Sequence, residues 1–217
     1  MKSWNIGTYV SIAALAVAVV AAPRVAQAQS RVVVPPVPGT IDINNVAPGN
    51  VPYFVGHGVG TQNYVCLPTP TGVAFQLFTP EATLFNDDGR QLTTHYFSPN
   101  LNPKPDQDPK ELGAIRATWE DSRDTSIVWA KAVAQATFTS DPTFVDKNAV
   151  AWLLLQVVGS QDGPQGGDRL SGTTTFVSRL NTVGGLAPST LCASPADIGR
   201  EAFVPYTADY FFYRHQD

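Results

Sequence analysis

Three histidines, two cysteines and a scatter of carboxylates are the side chains through which this 217-residue sequence could do chemistry. His95 lies in "TTHYF", a stretch that reads as a strand, where an imidazole can give or take a proton. Glu81 in "TPEATLF" is its most natural partner in a secreted hydrolase or metal-dependent enzyme. Glu81 with Asp209, Asp124 or Asp121 would alternatively form a carboxyl pair of the glycosidase type, which needs a separation of about 5 to 9 Å. His95, Glu81 and Asp209 together offer donors for a divalent cation, but no spacing among them matches a known metal motif, so no metal is expected. His57, between two glycines, reads as an exposed loop residue, and His215 as part of a solvated chain end.

The familiar catalytic signatures are missing. There is no G-x-S-x-G elbow, no H-E-x-x-H and no P-loop. The glycine-rich "GHGVGTQNYVC" (Gly56 to Cys66) invites a dinucleotide reading, yet the third glycine of G-x-G-x-x-G is Thr61 or Asn63, depending on the start. A nucleotide loop must also follow a strand and open a helix, whereas proline-rich coil precedes this one and the strand "QNYVC" follows it. No cofactor is expected. The glycines read as freedom for the preceding segment to turn. "DQD" at Asp106 to Asp108 suggests calcium only superficially, because Glu111 and Ala117 occupy the places where an EF-hand requires glycine and glutamate.

Lys2 followed by "SIAALAVAVVAA" and "AQA" reads as a signal peptide, residues 1–28, cleaved after Ala28. The apolar run falls short of the about 20 residues a membrane-spanning helix needs. A secreted or periplasmic protein without a membrane span in its mature part is therefore expected. The formal net charge is −4, and loss of a leader carrying Lys2 and Arg24 makes it more negative, which disfavours nucleic acid and anionic membrane surfaces. In an exported protein the only two cysteines, Cys66 and Cys192, most simply form one disulfide. A redox or metal role would call for C-x-x-C spacing, which they lack.

The elements that must position these groups are strands. Residues 29–59 are rich in proline, valine and isoleucine and read as an extended arm lying over a domain that spans 60–217. "VAFQLFT", "ATLF" and "QLTTHYF" show period-two patterning, the last two joined by an Asn86-Asp87-Asp88-Gly89 turn. "SIVWAKAVAQATF" alternates apolar residues from Val128 to Phe138, "VAWLLLQVV" is apolar on both faces, and "VPYTADYFFYR" puts Tyr206, Ala208, Tyr210 and Phe212 on one side. Residues 98–113 form a polar surface loop. The expected fold is all-β: one antiparallel sandwich or barrel with one disulfide. Trp119, Trp129, Tyr206, Tyr210 and Tyr213 could line a shallow face for a sugar or polymer, or could simply be core.

The motifs "TQNYVC", "TPEATLF", "THYF", "WEDSRDTSIV", "AWLLLQVV", "RLNTVGGLAPSTLC" and "VPYTADYFFYR" together resemble, in order, the exported bacterial and fungal proteins grouped as domain of unknown function 3455. The resemblance implies an exported single domain with a cysteine pair, and it brings no catalytic residues. Some fungal members are labelled malate dehydrogenases, an activity that the absent glycine fingerprint speaks against. The leading expectation is a non-enzymatic domain that binds a small molecule or polysaccharide or serves the envelope. A hydrolase or metal-dependent enzyme using His95 and Glu81 is the alternative, and the oligomeric state stays open.

Overall fold

The computed structural model describes Met1 and residues 32–216; the expected signal peptide lies outside the described residues. Eight antiparallel strands follow one another around a closed barrel, each paired to its neighbours in the chain, with the last returning to the first. They are β1 (Asn50–Thr69), β2 (Gly72–Phe85), β3 (Gln91–Pro99), β4 (Ile115–Asp121), β5 (Ile127–Ala136), β6 (Trp152–Gln161), β7 (Phe176–Gly184) and β8 (Glu201–His215). Of the two all-β alternatives the barrel is the one realised. Closure gives every strand two partners and leaves no sheet edge.

Alternation divides the side chains. Ala82, Leu84, Trp119, Val128, Ala130, Leu155, Val157, Val177, Ala208, Tyr210 and Phe212 point inward and form one buried cluster. A second cluster lies outside the barrel: Trp152, Leu154, Leu180, Phe211 and Tyr213 pack beneath Val32, Val34, Val37, Ile41 and Ile43 of the N-terminal arm. This explains why "AWLLLQVV" reads as apolar on both faces, and why β8 carries Phe211 and Tyr213 on the side opposite Tyr210 and Phe212. One face fills the barrel, and the arm covers the other. The arm also carries one short helix, α1 (Ile43–Val46), capped by the Asp42 side chain accepting from the Asn44 amide.

Three expectations change here. The glycine stretch is not a hinge: β1 already starts at Asn50, and Gly56, Gly58 and Gly60 all sit within it, on its inner face. A Cβ on Gly58 would stand 2.8 Å from the Tyr210 ring, and one on Gly56 would stand 3.0 Å from Leu84. Small size lets large side chains from β8 and β2 cross the narrow barrel. "VAFQLFT" and "ATLF" are one continuous β2, running through Pro80. The loop 98–113 is not simply solvated: Asn100 and Glu111 are buried in it, and it covers the outer face at Gly159 and Trp129. The Glu111 carboxylate accepts from Arg116 at 2.7 Å and 3.0 Å and from Lys131 at 3.3 Å, which holds it below the usual carboxylate range.

The Asn86–Gly89 turn joins β2 to β3 as expected, with Gly89 at φ 74°, a value that favours glycine. Cys66 and Cys192 form the disulfide, with Cα atoms 5.6 Å apart. Cys192 lies in the β7–β8 connection, so the bond ties that connection to the β1–β2 hairpin at one end of the barrel. Backbone bonds reinforce it: the Cys66 amide donates to Arg200 O at 2.8 Å, and the Gly199 amide donates to Cys66 O at 2.9 Å.

Candidate functional site

The inward side chains fill one half of the barrel and leave the other half open. Leu84, Val128, Val157, Val177 and Phe212 close off the end at which β8 finishes. Toward the opposite end, where the disulfide sits, a cavity of about 400 Å³ remains. Three rings mark its inner limit. His95 stacks on Trp119 with centroids 4.3 Å apart and planes 7° apart, and Tyr210 meets them at 5.2 and 5.7 Å. Leu77, Phe97, Ile115, Leu153, Leu155 and Leu186 supply apolar walls. Leu77, Ile115 and Leu186 are also exposed and rim the mouth.

The room has a sequence cause. Ala117 on β4 and Ala130 on β5 are cross-strand partners, and both line the cavity along with Ala132. Two bulges in β5, at Trp129/Ala130 and Ala132/Ala134, shift its register there. The unbroken alternation from Val128 to Phe138 therefore does not stay on one buried face: Ala132 and Phe138 are exposed.

Polar groups converge on this apolar space. The Tyr206 and Tyr210 hydroxyls lie 2.9 Å apart, and burial pushes both phenols up. The Gln62 side chain is buried beside the Tyr206 hydroxyl, and among the described residues the buried Trp119 indole N–H has no hydrogen-bond partner. Arg179 enters from β7; its register partners Tyr210 on β8 and Leu153 on β6 both face inward, and so does it. Its Nε and Nη2 donate to Ala151 O at 3.1 and 2.9 Å. His95 Nδ1 lies 2.9 Å from Thr118 O; a carbonyl can only accept, so Nδ1 holds the proton and Nε2 the lone pair. Burial, with the nearby Arg179 charge adding to it, pushes the His95 pKa down to about 3, so the ring is neutral at ordinary pH.

The candidates from the sequence scatter across two faces. Trp119, Tyr210 and His95 come together at the inner limit of the cavity, and Tyr206 joins them through its hydroxyl. Trp129 lies on the outer face beneath the 98–113 loop, its indole N–H donating to Ser98 Oγ at 2.9 Å. Tyr213 is under the N-terminal arm. None of these five aromatics forms an exposed, shallow face. Glu81 is exposed on the outer surface opposite Thr61, while its neighbour Ala82 pairs with His95 inside. Glu81 and His95 thus stand on opposite faces of the wall, and no acid/base pair or shared metal site joins them.

Asp209 is also outside. It accepts from Asn181 Nδ2 at 2.8 Å and meets His57 Nδ1 at 2.7 Å, while His57 Nε2 meets Asp87 at 2.9 Å. His57 is therefore a strand residue clasped between two carboxylates, which raises its pKa. His215 is exposed at the end of β8.

Arg179 and Gln62 escaped the sequence reading. One signal was available for Arg179: in "FVSRL" it shares a face with Val177, a charge on a strand side that otherwise reads as core.

Comparison with known proteins adds a family and little else. No curated protein and no solved structure matches the chain. Residues 47–214, from just before β1 to the end of β8, match the family described as protein of unknown function (DUF3455), and the chain belongs to that family.

Proposed function

We propose that this barrel is a binding protein: it takes up one small, largely apolar molecule in the half-barrel cavity and does not transform it. The observation that carries the reading is the cavity itself, about 400 Å³ of mostly apolar space with a few polar groups converging on it. That volume sits toward the small end of ligand pockets, which run from about 300 to 1,000 Å³. Eight strands give a barrel wide enough to fill with side chains or to hold one small ligand. Here the alanines of β4 and β5 favour the second outcome. A polymer-binding surface loses its support, because the aromatic side chains that would stack on sugars lie inside the wall, under the arm or, for Trp129, beneath the 98–113 loop. Export fits the disulfide, and the two residues of the enzyme alternative, His95 and Glu81, face opposite ways.

A fluorescent apolar probe, 1-aminoanthracene, tests the reading. One molecule is expected to bind per chain with enhanced emission. Ala117→Phe, which fills the space from β4, is expected to abolish that binding while leaving the melting temperature within a few degrees. Undiminished binding in the filled variant would refute the reading.

A further inference from the structure

We infer that the ligand is an amphipathic anion, a carboxylate or its equivalent, whose charged end is held by Arg179. This rests on the binding reading above and specifies its chemistry. Among the described cavity-lining residues Arg179 is the one cation whose register points its side chain inward; Arg116 and Lys131 leave the wall on the outer side, where Glu111 pairs with both. Arg179 forms no ion pair among the described residues. Its Nε–H and one Nη2–H are spent on a single carbonyl, Ala151 O. A guanidinium carries five N–H donors; the Tyr210 hydroxyl is near enough to take one more, so at least two remain for a ligand.

A partly buried cation without a counter-charge is costly to fold around, and such groups are ordinarily paired. An incoming carboxylate would supply the missing charge and accept two parallel N–H bonds in the geometry guanidinium favours. The neighbours suit that arrival. His95 is neutral and so does not repel an anion. The Trp119 indole N–H, without a partner among the described residues, lies in the same wall. Among the described residues no carboxylate side chain lines the cavity. Beyond the charged end, the leucines, Phe97 and Ile115 can cover an apolar body out to the mouth.

A merely structural arginine, pinning Ala151 to β7, would give stability without selectivity, and the two roles separate in one titration series. The full chain is titrated calorimetrically with decanoate, decanol and decylamine, matched in length and differing in charge. Decanoate is expected to bind on the order of tenfold to a hundredfold more tightly than decanol, the range for a hydrogen-bonded charge, and decylamine more weakly than either. In Arg179→Met decanoate and decanol are expected to converge, while Arg179→Lys, which keeps the cation but not the fork, retains part of the preference. Equal affinities for decanoate and decanol in the unmodified protein would overturn the anion assignment and leave the binding reading standing. Binding of none of the three would overturn both. If Arg179→Met does not fold, the Lys variant decides: a preference unchanged from the parent would refute a role for the guanidinium fork.

Discussion

The stacked, buried His95 makes a quantitative demand on how stability changes with acidity. In the unfolded chain its imidazole titrates near 6.5, whereas in the barrel its pKa is pushed down to about 3. Between those values the unfolded chain binds a proton that the folded one does not, so unfolding becomes more favourable as pH falls. The contribution is absent above the unfolded pKa and grows by about 1.4 kcal/mol per pH unit below it. From pH 7.5 to pH 4.5 the sum is about 3 kcal/mol, a large part of the about 5 to 15 kcal/mol that holds a typical domain folded. Because 4% of His95 is exposed, solvent screening takes little away. His95→Gln removes the titration and keeps a side-chain donor for Thr118 O. Urea unfolding of both proteins at the two pH values isolates the effect. Any packing lost against Trp119 is lost at both pH values, so that offset cancels in the difference. The stability gap between parent and variant is expected to shift by about 3 kcal/mol in the variant's favour on acidification. A shift below about 1 kcal/mol would show that the ring is solvated or protonated in the folded state, and the neutral-imidazole account would fail.

Two further outcomes follow from packing and cross-linking. Gly58→Ala sets a methyl 2.8 Å from the Tyr210 ring, which must shift to make room, and an overpacking cost of about 1 to 3 kcal/mol is expected in chemical unfolding; a neutral result would mean the ring moves aside into the cavity freely. Cys66→Ser with Cys192→Ser opens a loop of 126 residues, for which chain entropy gives about 5 kcal/mol. Thermal melts should fall steeply in the double variant and, in the parent, only after reduction; mass spectrometry of the unreduced protein should show the cross-link.

How much of this could be read from residues alone depends on what each signal measures. Period two is a property of the strand itself, so β3 and β8 were legible, as was the Asp-Gly turn from its residue types. The apolar run of β6 announced burial on both faces without saying what covers the outer one, since that depends on where the arm lies. "GHGVG" misled because glycine marks both flexibility and close approach, and only the partner side chain, Tyr210 on a strand 152 positions away, tells them apart. Glu81 and His95 looked like partners because each lies beside a strand. Their opposite facing is a matter of register, fixed when Ala82 rather than Glu81 takes the place across from His95. The cavity was not legible at all, being the difference between a barrel's width and side chains that arrive from every strand.

The pairing of β1 with β8 has a kinetic consequence. Asn50 lies opposite His215, so the seam that closes the wall joins the two ends of the barrel sequence. Seven hairpin-like neighbours can form as the chain emerges, but the eighth contact must wait for the final strand. Loop-closure entropy must be met before that contact stabilises anything, so folding is expected to be slow for a chain of this size. Until then β1 and β8 each offer an unpaired row of amides and carbonyls to other chains. The disulfide has the same timing, because Cys192 appears only shortly before β8. Closing the seam and oxidising the pair are therefore late events, and any factor that keeps copies apart before the last strand is released should raise the yield of folded protein.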